Sequence, residues 1–95
     1  MLPKKRIPTH PGAILQAEFL TPLEMTQVAL AKHIGVSTQR INELARGKRG
    51  VTPETAWLLA HALNTTPEFW LNLQASYDLA VNRPAKKISR LRRAS

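Results

Sequence analysis

Residues 27–46 read Gln27-Val28-Ala29-Leu30-Ala31-Lys32-His33-Ile34-Gly35-Val36-Ser37-Thr38-Gln39-Arg40-Ile41-Asn42-Glu43-Leu44-Ala45-Arg46, and this stretch sets the architecture. Thr26 can cap one helix, and Gly35 can stop it in the left-handed conformation that other residues resist. Ser37 can cap a second helix running to about Arg46, with Gly47 as its stop. Two helices that cross steeply need a small residue at their contact, and Ala31 stands there. Ile34 and Val36 fill the angle. Ile41 and Leu44, at i and i+3, pin the second helix to a core.

Outward from this pair the chain reads as further helices. Pro11 suits a first helical turn, with Ile14, Leu15, Ala17 and Phe19 behind it and an end near Thr21-Pro22. Thr52-Pro53-Glu54 and Thr66-Pro67-Glu68 each offer a cap, a first-turn proline and an acid on the helix dipole. The residues after the two triplets do not match, so they mark two helix starts rather than a repeat. Ala56, Leu59, Ala60 and Leu63 make one apolar stripe, and Phe69, Trp70, Leu73 and Tyr77 make another. No stretch alternates with period 2 for long enough to form a strand. The expectation is an all-α, five-helix domain over residues 10–83, with a basic arm at 1–9 and a basic tail at 84–95.

The 95 residues suit one domain with a modest core, and they carry a net charge of +8. That charge is unevenly placed. Residues 10–83 balance six Lys and Arg against six Asp and Glu. The excess lies in Lys4, Lys5 and Arg6 and in Lys86, Lys87, Arg90, Arg92 and Arg93. Within the body, Arg40, Arg46, Lys48 and Arg49 face a single acid, Glu43, in one short segment. A polyanionic partner fits this pattern, and nucleic acid is the usual one.

Thr38, Gln39, Arg40, Asn42 and Glu43 are expected to turn outward and read base edges in a major groove. Gln27, Ser37, Arg46, Lys48 and Arg49 are expected on phosphates, Gln27 with help from its helix N-terminus. Phe69, Trp70, Leu73 and Tyr77 are more apolar surface than a short monomer easily covers, and they are expected at a homodimer interface.

Other chemistries lack their residues. No cysteine is present, which removes disulfides and thiolate metal sites and fits a reducing cytoplasm. His10, His33 and His61 share no ligand spacing, so no metal and no cofactor is expected. No nucleophile triad, phosphate loop or carboxylate pair appears, so no enzyme is expected. No apolar run approaches a membrane span, and no signal-peptide stretch follows the first basic residues.

Residues 26–48 resemble the lambda-repressor-like (XRE) helix-turn-helix. A wider stretch, about 10–80, resembles the HigA-type antitoxins of bacterial toxin–antitoxin modules. His10-Pro11-Gly12, Ile14-Leu15, Phe19-Leu20-Thr21-Pro22-Leu23 and Thr52-Pro53-Glu54-Thr55-Ala56 carry this resemblance. So do Thr66-Pro67-Glu68-Phe69-Trp70-Leu71-Asn72-Leu73-Gln74, its most distinctive part, and Tyr77-Asp78-Leu79. The resemblance implies a dimer that represses its own operon on double-stranded operator DNA and neutralises an mRNA-cleaving toxin. The alternative is a stand-alone regulator of the same fold without a toxin. The tail after Arg83 lies outside the resemblance.

Overall fold

His10 caps the first helix with a ring nitrogen: its Nδ1 accepts a hydrogen bond from the Gly12 N–H at 2.9 Å. The computed structural model describes residues 7–93, so Lys4, Lys5 and Arg6 of the expected arm lie outside the described residues. Helix α1 (Pro11–Ile14) continues directly into a π-helical segment (Leu15–Leu20). Then come α2 (Gln27–Ile34), α3 (Thr38–Ala45), α4 (Pro53–Leu63) and α5 (Pro67–Val81). Among the described residues there is no strand. Thr26, Ser37, Thr52 and Thr66 each cap a helix by accepting an N–H three residues ahead. Gly35 closes α2 at φ 78°, where a side chain would be strained.

The core gathers one face from each helix. Leu15 and Leu20 come from the π segment, Leu30 and Ala31 from α2, Ile41 and Leu44 from α3. Ala56 and Leu59 come from α4, and Trp70 from α5. Gly12 brings α1 against the end of α3, because a Cβ there would overlap the Leu44 carbonyl oxygen.

Trp70 corrects one expectation. It is 0% exposed, and its indole N–H donates to Thr65 Oγ1 at 2.8 Å. A side chain wholly enclosed in its own chain has no surface for a partner copy, so Trp70 belongs to the core and not to a dimer interface. Leu73 packs against the same core, and Tyr77 meets the His10 ring edge-on at 4.8 Å. Phe69 stays 38% exposed. After α5 the chain forms no further helix among the described residues, and every residue from 84 to 93 is exposed.

Candidate nucleic-acid interface

The capped start of α3 presents Thr38 and Gln39 to solvent, while Ile41 and Leu44 hold its other face in the core. A short helix held so firmly on one side offers the other as a fixed polar edge. Gln39 is aimed by a neighbour one turn on: its Nε2 donates to Glu43 Oε2 at 3.2 Å. One amide proton and the amide oxygen remain for an outside partner, which is the pattern that pairs with adenine.

Glu43 is occupied on both oxygens. Arg49 donates to Oε1 from Nε at 3.1 Å and from Nη2 at 3.0 Å. The Arg49 hydrogen bonds, then that from Gln39, hold the Glu43 carboxyl below the usual carboxylate range. Glu43 thus orders two residues expected at the interface, one from each group.

Arg40 departs from the expected outward direction. Its Nη2 donates to Thr55 Oγ1 at 2.7 Å and to Glu54 Oε1 at 3.3 Å, at the start of α4. Its Nε is buried without a partner among the described residues. The side chain therefore ties α3 to α4, and leaving that position would cost two hydrogen bonds to a charged group.

Gln27, the first residue of α2, sits half-buried in a directed chain of amides. Asn42 Nδ2 donates to its Oε1 at 3.2 Å, and its own Nε2 donates to Gln16 Oε1 at 3.0 Å. Gln16 in turn donates to Thr21 Oγ1 at 3.4 Å. The second proton on Gln27 Nε2 remains for an acceptor beyond the chain. Ser37 spends its oxygen on the α3 cap, accepting from Arg40 N at 3.1 Å, and keeps its hydroxyl proton. Arg46 and Lys48 are exposed and form no ion pair among the described residues.

The loop that carries Lys48 and Arg49 is held from behind. Gln74 Oε1 accepts the buried Val51 N–H at 2.7 Å, and Gln74 Nε2 donates to Asp78 Oδ1 at 2.9 Å. Between the loop and α5 lies an open cleft of about 430 Å³ edged by His10, Lys48, Gln74, Tyr77 and Asp78. Burial lowers the His10 pKa from 6.5, partly offset by the Asp78 carboxylate.

The holding roles of Gln16, Glu54, Thr55, Gln74 and the His10 cap are not read from local sequence patterns. Only the cap has a short-range signal, since His10 directly precedes Pro11-Gly12. Among the described residues no three His, Asp or Glu side chains converge as a metal site, and no helix is long and apolar enough to cross a membrane.

Comparison with known proteins gives concordant matches. The helix-turn-helix family model matches residues 17–70, more than half of the chain. The chain is 46% identical to antitoxin HigA-1 of Vibrio cholerae over 76 residues, 79% of this chain and 70% of that one. Its fold is similar to that of PA4674 of Pseudomonas aeruginosa, solved in complex with its operator DNA. That match has a TM-score of 0.82 and 36% identity, covering 88% of this chain and 97% of that one. It is also similar to the Pseudomonas aeruginosa antitoxin HigA solved with the higBA promoter. There the TM-score is 0.76 and the identity 39%, over 78% of this chain and 80% of that one.

Proposed function

The chain belongs to the lambda-repressor-like helix-turn-helix family, and we propose that it is an antitoxin that represses its own operon and neutralises a companion mRNA-cleaving toxin. The observation that carries the DNA half is the exposed, pre-aimed Thr38–Gln39 edge beside the exposed cations Arg46 and Lys48. Thr38 and Gln39 read bases, with Asn42 beside them. Glu43 steers Gln39, and Arg40 braces the helix. Gln27, Ser37, Arg46, Lys48 and Arg49 hold phosphates, which fix register without reading sequence. A homodimer presents two such edges about 34 Å apart, one turn of DNA. Phe69, Leu73 and Tyr77 share one stripe of α5 at i, i+4 and i+8 and supply its contact. The protein acts in the cytoplasm.

The toxin half rests on kinship with antitoxin HigA-1. It is tested by expressing any small reading frame found beside the gene, with and without this protein; the absence of such a frame leaves a stand-alone repressor. Growth arrest that this protein relieves supports the reading. An adjacent frame that is harmless, or whose toxicity this protein does not relieve, leaves a stand-alone repressor.

A further inference from the structure

The helical body of this protein is electrically balanced, and the structure depletes its free positive charge further. Of the four cations around α3, Arg40 is tied to Glu54 and the half-exposed Arg49 shares its charge with Glu43, so only Arg46 and Lys48 are unpaired among the described residues. A duplex is a dense line of negative charge, and affinity for it comes largely from cations that displace its counterions. The body alone offers few of these.

The segment after α5 has what the body lacks. Residues 84–93 hold Lys86, Lys87, Arg90, Arg92 and Arg93 with no acid among them. All ten of these residues are exposed and none is helical. The root of the segment is also in the right place. Asn82 closes α5 on the Asp78 carbonyl, and Asp78 borders the same cleft as Lys48 and Arg49. Helix α5 thus ends three residues, about 5 Å of helical rise, beyond Asp78 on the rim of that cleft, and the segment follows two residues later. Ten extended residues reach about 33 Å, close to one turn of duplex. The isolated Ile88 and Leu91 are 74% and 95% exposed. They face away from any core and make no continuous stripe for a protein groove.

We propose that residues 84–93 form a sequence-blind clamp that lies along the phosphate backbone or in a minor groove beside the site contacted by α3. This rests on the DNA-binding reading above. The clamp supplies affinity and capture, while α3 supplies choice of sequence.

The test compares the full chain with a variant ending at Arg83. A second, full-length variant carries Lys86→Gln, Lys87→Gln, Arg90→Gln, Arg92→Gln and Arg93→Gln. Binding is measured from low to high salt on a duplex from upstream of the gene and on a shuffled duplex of equal length. Helix content by circular dichroism checks that both variants keep the body. Both should bind each duplex at least about tenfold more weakly at low salt, with the loss shrinking as salt rises. The slope of log affinity on log salt should flatten by up to about 4.5 per bound chain, since five cations are removed. The ratio between upstream and shuffled duplex should stay unchanged. If either variant keeps the affinity and slope of the full chain on both duplexes, the clamp is overturned. It is overturned even if that variant no longer neutralises a toxin, which would place the segment on a protein surface. A full chain that binds both duplexes equally overturns the operator reading instead, while the shuffled duplex still decides the clamp.

Discussion

Gln39 and Arg40 are adjacent in sequence and opposite in role. Gln39 is exposed and steered by Glu43, whereas Arg40 reaches back to Glu54 and Thr55. Their substitutions should therefore separate. Gln39→Ala should reorder the affinities of single-base operator variants, by about 1–3 kcal/mol at the base it contacts. Arg40→Ala should weaken all variants together and lower the melting temperature, since it removes the hydrogen bonds that tie α3 to the start of α4. Competition titrations over a panel of duplexes check both. Gln39→Ala with an unaltered ranking removes the base-reading assignment.

His10 gives a pH effect whose sign follows from its cap. The ring accepts the Gly12 N–H only when neutral, and its folded pKa lies below 6.5. Well above pH 6.5 both folded and unfolded rings are neutral, and the contribution is fully present. As pH falls through 6.5 and then through the lowered folded value, the unfolded chain takes up the proton first, so this stability is lost. Thermal melts from about pH 7.5 down to about pH 5 should show the loss. His10→Asn keeps a capping oxygen and does not titrate, so its melts should lose this part of the pH dependence. An equal fall in the variant would assign the effect to other groups.

Among the helices, the critical fastening is that of the loop after α3. Gln74→Leu removes the acceptor of the buried Val51 N–H and should cost about 1–3 kcal/mol. It should also raise protease cleavage within residues 46–52, because the loop loses its anchor to α5. Denaturant melts and limited proteolysis check the two effects, and a variant as stable and resistant as the parent would sink the anchor. The difference between this anchor and the helix ends explains which features are legible in the sequence. The caps at Thr26, Ser37, Thr52 and Thr66 bond three residues ahead, so their chemistry is local and readable. Gln74 and Val51 are 23 residues apart, Arg40 and Thr55 are 15, and Gln27 and Asn42 are 15. No local pattern marks such pairs. Trp70 misleads for a related reason: an apolar stripe on α5 looks alike whether this chain's core or a second copy covers it. The outward edge of α3 is legible through Thr38 and Gln39, but the inward turn of Arg40 depends on where α4 begins.

For the whole molecule, the interface proposed on Phe69, Leu73 and Tyr77 predicts a dimer in sedimentation at micromolar concentration. Phe69 is the most accessible of the three, and Phe69→Asp should shift the population toward monomer. Operator affinity should fall with it, because one α3 edge reads only half of a two-fold site. A parent chain that sediments as a stable monomer removes the proposed dimer.

The proposed function depends above all on α3 choosing a DNA sequence. Its plainest check is the ratio of affinities of the full chain for a duplex from upstream of its own gene and for a shuffled duplex, at one physiological salt concentration. A preference of about a thousandfold or more for the upstream duplex is expected. Equal affinity for the two would refute sequence choice by α3, leaving a basic helical protein that holds DNA without reading it.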